Sequence, residues 1–125
     1  MKKVLNRPEN AVEEMLQGLA VLTRGAMQSP DHKVMIRADA EQVRDQQVAV
    51  ISGGGSGHKP AHAGYVGAGI LSAGVLGEVF TSPDTDFIVA AIKAVAGKPG
   101  AAVSEALFPI PQTSTSIESG SRRAA

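Results

Sequence analysis

The stretch Val48-Ala-Val-Ile-Ser-Gly-Gly-Gly-Ser-Gly-His58-Lys-Pro60 decides how the rest of this chain is read. An apolar run ends at Ser52, and three consecutive glycines follow, then Ser56, Gly57, His58 and Pro60. Glycine removes the Cβ where a ligand would approach and permits positive φ in a tight turn. Ser56 and His58 are the first side chains beyond the glycines with useful polar chemistry. With the apolar run as a buried strand and Pro60 opening a helix, the stretch is a strand–loop–helix unit. Ligands of open α/β sheets gather at such places, beyond the carboxyl ends of the strands.

The loop matches none of the common glycine motifs. GxxxxGK[ST] fails because His58 follows Gly57. GxGxxG fails because His58 stands where the third glycine belongs, and the same residue breaks a GxSxG elbow. What remains is a run of backbone N–H groups ahead of a helix, suited to a polar or anionic small ligand or simply to a tight turn. His58 has the side chain whose ordinary pKa suits proton transfer near neutrality. His62 lies four residues on, but the glutamate of HExxH is absent, and no metal site is predicted.

Working outward, Asn6 with Glu9 has capping-box spacing, and Val12, Met15, Leu16, Leu19 and Ala20 recur on one helical face. This predicts a helix from about Arg7 to Leu22, ended by Gly25 and Ser29-Pro30-Asp31. Lys33–Arg37 reads as a strand, Ala38–Gln46 as a polar connection, and Gln47–Ser52 as a strand buried on both faces. Pro60 to about Leu71 reads as a helix laced with Gly64, Gly67 and Gly69, packed close to the sheet or interrupted. Ala73–Phe80 reads as a third strand. Ser82 as cap, Pro83 at the first position and the stripe Phe87, Ile88, Ala91, Ile92 and Val95 predict a helix over Pro83–Ala96. Thr81 and Ser82 follow a strand and so can lie beside the glycine loop. This order is an α/β pattern, predicted as three layers: a mostly parallel partial sheet with flanking helices.

Beyond Gly100 the composition changes. Pro109, Pro111, a Ser/Thr cluster and Gly120-Ser-Arg-Arg mark residues 101–125 as an irregular tail, although a strand should follow the last helix. The whole is one small domain of 125 residues, with 43% hydrophobic and only 3% aromatic residues, so its core must be aliphatic. Twelve basic and twelve acidic residues cancel, which gives no electrostatic reason to expect nucleic acid or an anionic membrane as partner. With no cysteine there is neither a disulfide framework nor a thiolate metal site. No apolar stretch approaches a spanning helix and no signal-peptide core follows Lys2-Lys3, so a soluble, cytoplasmic protein is expected.

Two motifs carry a resemblance. Ser52-Gly-Gly-Gly-Ser-Gly-His58-Lys-Pro60-Ala-His-Ala-Gly-Tyr-Val-Gly and Gly77-Glu-Val-Phe-Thr-Ser-Pro83 resemble the N-terminal part of the dihydroxyacetone kinase substrate-binding (DhaK) family. The opening Met1-Lys-Lys-Val-Leu-Asn and the Arg37-Ala-Asp segment look like the same family, and the likeness runs from about Met1 to Gly100. It implies binding of dihydroxyacetone or a related short ketose for phosphorylation to the phosphate ester. It also implies that Gly55, Ser56, Gly57 and Ser82 contact the substrate and that His58 is the general base. The phosphoryl donor is expected on a partner L subunit or domain, as ATP or as an ADP rephosphorylated by a phosphotransferase system. No cofactor is expected on this chain, and the full-length family is expected to be homodimeric.

The departures matter as much. Lys59 stands where the family normally has glutamate. After Gly100 the family continues with an apolar strand, a Lys-Asn-Tyr-Thr-Gly-Asp motif and, far downstream, a histidine that forms a hemiaminal with the ketone. Here the chain reads Ala-Ala-Val-Ser-Glu-Ala-Leu-Phe-Pro and runs to Ala125. The expectation is a truncated, frameshifted subunit, with residues 1–100 as the DhaK-like part, 101–125 as a divergent tail, and little or no kinase activity of its own. Two alternatives stay open: a non-catalytic small-ligand or protein-interaction module, and a domain that binds phosphate esters.

Overall fold

In the computed structural model, residues 4–56 and 61–105 are described. A single turn of 3-10 helix at Pro8–Asn10 leads into helix α1 (Ala11–Leu22). Val12 and Leu16 of α1 are buried, and Met15, Leu19 and Ala20 pack beside them, as the 3.6-residue spacing predicts. The capping box does not form. The Asn6 side chain instead donates to the Glu14 carboxylate at 3.1 Å, and Asn10 holds the cap position of α1 without a side-chain cap bond.

The sheet has five strands in the order β1-β2-β4-β3-β5. These are β1 (Ala26–Gln28), β2 (Val34–Arg37), β3 (Ala49–Gly54), β4 (Ala73–Leu76) and β5 (Ala101–Glu105). β2 is antiparallel to β1 and β4, while β3 is parallel to β4 and β5, so β2 alone runs against the other strands. The predicted mostly parallel sheet is therefore present, with one hairpin, β1–β2, that the spacing did not reveal.

Helices cover both faces. On one side α1 and the short α3 (Ala61–Gly64) enclose Leu16, Met35, Ala63, Val66 and Leu76. On the other, α4 (Thr85–Val95) lays Ala91 and Val95 over Val34, Ala49, Ile51, Ala73 and Val75. The short α2 (Ala40–Val43) joins this second core through Ala40. The result is the expected three-layer arrangement. No helix among the described residues is long and apolar enough to cross a membrane.

Several expectations are corrected. β3 is not buried on both faces: Ala49 and Ile51 are buried, but Val50 is 40% exposed. In the sheet, β4 and β5 flank β3 on both sides, paired at Ile51↔Ala73 and Ile51↔Val103. The polar connection contains α2. The helix expected to run to Leu71 stops at Gly64, and Val66 and Leu71 then form a single β-bridge around a turn in which Gly69 has φ +84°. β4 ends at Leu76, and residues 77–84 are a loop. Ser82 does not cap α4. Asp84 takes that position, with extended backbone and no side-chain cap bond. Residues 101–105 are not irregular but form β5, and residues 106–125 lie outside the described residues.

Candidate functional site

The carboxyl ends of β3 and β4 lie side by side, and each leads into a loop with a glycine at its root. At the end of β3, a Cβ on Gly53 would stand 2.6 Å from the Val75 carbonyl oxygen. Real Cβ atoms do not approach that closely, so the two strand ends meet at this distance only because residue 53 is glycine. Gly55 continues the same device: its missing Cβ would lie 3.1 Å from both the amide nitrogen and the carbonyl oxygen of Thr81. Gly77, directly after β4, is the most crowded. A Cβ there would overlap the Thr81 oxygen and sit 2.7 Å from the Ser82 carbonyl carbon. The absence of three side chains thus lets the 77–83 loop fold back against the end of β3.

Hydrogen bonds hold the two loops together. The Gly77 amide donates to the Gly54 carbonyl at 2.9 Å, and the Ser56 amide donates to the Glu78 carbonyl at 3.1 Å. The Ser56 hydroxyl donates to the Gly77 carbonyl at 2.6 Å. Its proton is therefore committed to the scaffold, and its remaining lone pairs can accept from a ligand hydroxyl. The Glu78 carbonyl also accepts from the Thr81 amide at 3.1 Å, which tightens the turn. The turn carries Phe80 at φ +61°, in the left-handed region that a bulky side chain seldom occupies.

Of the residues expected at the site, Gly55, Ser56 and Ser82 are brought to this crevice. Gly55 packs on Thr81, Ser56 bonds Gly77, and the Ser82 backbone lies over Gly77. Gly57 and His58 lie outside the described residues, as does Lys59. Sequence reasoning missed two ion-pair partners. Lys33, just ahead of β2, pairs with Glu78, and the Lys33 carbonyl accepts from the Leu76 amide at 2.8 Å. Glu78 sits between Gly77 and the exposed Val79 and Phe80, and a lone carboxylate at a strand end is the signal that could have marked it. A second pair was also missed: Ser52 Oγ and His62 Nδ1 lie 3.1 Å apart.

Arg37 and Asp39 lie at the opposite, amino-terminal end of β4, where the Arg37 amide donates to the Ser72 carbonyl at 3.0 Å. The buried guanidinium grips Asp39 in a fork, Nε to Oδ1 at 2.5 Å and Nη2 to Oδ2 at 2.8 Å. These hydrogen bonds hold the Asp39 carboxyl below the usual carboxylate range and raise Arg37 above its own. Being remote from the loop crevice, the pair is a structural feature.

The geometry defines a mixed α/β sheet with two glycine-rooted loops at the carboxyl ends of its adjacent parallel strands β3 and β4, and comparison with known proteins gives the family. The Dak1 domain model matches residues 17–104, and the chain belongs to that family. It is 47% identical over 102 residues to a putative 3,4-dihydroxy-2-butanone kinase of Solanum lycopersicum, covering 79% of this chain and 17% of that protein. It is 47% identical over 93 residues to the dihydroxyacetone-binding subunit DhaK of a PTS-dependent dihydroxyacetone kinase of Lactococcus lactis, covering 74% and 27%. Among solved structures, the C. freundii dihydroxyacetone kinase in complex with AMP-PNP and Mg2+ superposes with a TM-score of 0.72 at 34% identity, covering 82% of this chain and 19% of that one. The dihydroxyacetone kinase operon co-activator Dha-DhaQ gives 0.65 at 38% identity, covering 73% and 27%. The chain thus spans about a sixth to a quarter of the length of these relatives.

Proposed function

We propose that this chain is the ketose-holding part of a dihydroxyacetone kinase. Dihydroxyacetone or a related short ketose lies between the segment carrying Gly55, Ser56 and Gly57 and the loop carrying Ser82. His58 takes the proton from the attacking hydroxyl as that oxygen meets the phosphoryl group. Phosphoryl transfer asks for positioning and charge stabilisation more than covalent chemistry from the protein, so a rigid cradle is the main contribution of this part. The donor is ATP, or an ADP rephosphorylated by a phosphotransferase system. It is carried by an L-type subunit or domain in the cytoplasm, against a homodimeric K partner. The observation that carries the reading is the Ser56 hydroxyl bonded to the Gly77 carbonyl at 2.6 Å, which joins both motifs in one crevice.

The test is a titration of the isotope-labelled chain with dihydroxyacetone, followed by amide NMR. The Gly55, Ser56 and Ser82 signals are expected to move together and saturably. Unmoved signals, or equal binding of simple phosphate esters that survives His58→Ala, would sink the reading in favour of a phosphate site.

A second reading has one observation in its favour, the likeness to the co-activator Dha-DhaQ. On that reading the chain is a ligand-binding module without catalysis. Turnover of dihydroxyacetone with an L-type partner and donor would decide for the kinase and against a module without catalysis.

A further inference from the structure

Ser52 and His62 form a contact that the proposed chemistry does not use. Ser52 precedes the glycine run on β3. Its neighbour Ile51 is in the α4-side core, so Ser52 faces the α3 side of the sheet. His62 lies in α3. That helix sits close to β4 because residue 74 is glycine: a Cβ there would come within 3.0 Å of the His62 carbonyl oxygen and 3.2 Å of Val66 Cγ2. Gly74 is also the register partner of Ser52. The His62 backbone thus rests on one strand, while its ring reaches the residue directly opposite on the next, Nδ1 to Oγ at 3.1 Å. Which atom donates depends on the imidazole tautomer.

Immediately after Ser52 come three residues with no side chain to anchor them. Gly53 is set by the Val75 carbonyl and Gly54 by the Gly77 amide. Both contacts lie on the β4 side, and on the other side the β5 ladder pairs Ser52 with Ser104 and Gly53 with Glu105. From α3, among the described residues, the His62 ring reaches this stretch at Ser52. We propose that His62 is a positioning residue: through the Ser52 hydroxyl it fixes the direction in which Gly53–Ser56 enters the crevice. A glycine run fixed at its root binds a small ligand without having to order itself first. The proposal rests on the ketose-holding reading given above.

The experiment uses the full 125-residue chain and dihydroxyacetone as probe. Amide NMR is recorded without and with ligand on wild type, Ser52→Ala, His62→Ala, His62→Asn and the Ser52→Ala/His62→Ala double variant. Loss of one neutral hydrogen bond corresponds to an affinity loss of up to about tenfold. Each alanine variant is expected to weaken binding by that amount and to displace the ligand-free Gly53–Ser56 signals. The double variant is expected to be no worse than either single one. Asparagine can present a polar atom near the position of Nδ1, so His62→Asn is expected to restore both readouts where a mere packing role would not. Wild-type signals in Ser52→Ala, additive losses in the double variant, or His62→Asn no better than alanine would overturn the proposal. Should His62→Ala fail to fold, Ser52→Ala and His62→Asn still decide it. A wild-type chain blind to dihydroxyacetone overturns the ketose reading instead, and the ligand-free signals still judge the contact.

Discussion

At the scale of single residues, the same substitution has opposite consequences at different glycines. Gly18 lies inside α1 with nothing within 4 Å of the Cβ it lacks. Gly18→Ala is expected to stabilise the fold by about 0.5–1 kcal/mol, the entropic cost of an interior helical glycine. Gly77→Ala forces a Cβ against the Thr81 carbonyl and the Ser82 backbone, neither of which is a flexible side-chain end. It is expected to destabilise by about 1–3 kcal/mol, as overpacking does, and to displace the 77–83 loop from the crevice. Thermal melts of the two variants beside wild type check the signs. Equal effects would mean that the Gly77 contact is slack. The sequence makes glycine visible at both positions but not this difference, which depends on what a fold places opposite each one. For the same reason the Ser56–Gly77 and Lys33–Glu78 contacts could not be read from spacing. The candidacy of Gly55, Ser56 and Ser82 could be, because glycine runs and small polar residues at strand ends are local signals.

At the scale of elements, Arg37 closes β2 and grips Asp39, the residue ahead of α2. The arginine side chain is only 6% exposed while the carboxylate is 48% exposed, so the arginine depends more on the pair than the aspartate does. The Arg37 hydrogen bonds depress the Asp39 pKa in the folded state. A depressed carboxyl contributes stability above its unfolded pKa, near 3.9, and that contribution fades as pH falls through the folded value. Wild type is therefore expected to melt higher than Asp39→Asn at about pH 5–8, with the gap closing as pH falls through the depressed folded value. A gap independent of pH would show that the carboxylate charge plays no part. The longer elements were legible because α1 and α4 each repeat an apolar stripe at helical period. β1, only Ala26–Gln28 between turns, has too few residues to show any period. The continuous apolar run of β3 misled for a physical reason. It resembles a strand covered on both faces, yet α4 covers only the Ile51 side and Val50 remains part-exposed. The glycines expected to seat the following helix lie in open space at Gly64 and Gly67, whereas the close approach to α3 is made by Gly74 on the strand.

At the scale of the whole molecule, the two crevice loops spring from β3 and β4, adjacent interior strands of the described sheet. β3 lies between β4 and β5, and β4 lies between β2 and β3, whereas β1 and β5 are the outer strands of the described sheet. Opening the sheet from either outer strand breaks one ladder, but exposing β3 or β4 breaks two. It also uncovers Ile51, Val75 and Leu76, which are fully buried. Local opening is cheapest where few buried contacts and hydrogen bonds are lost, and most costly in the central core. Native-state hydrogen exchange is therefore expected to rank the amides of β3 and β4 slowest, with β1 and β5 faster. Gly55 and the amides of Val79 and Ser82 should exchange faster than that of Thr81, which is bonded to Glu78. The Ser56 amide, bonded to Glu78 across the two loops, should be slower than its neighbour Gly55. If β3 instead exchanged as quickly as β1, its central position would give the loops no rigid footing. The crevice would then have to be organised by its ligand rather than by the sheet, and the loss of loop glycine contacts such as that at Gly77 would cost little.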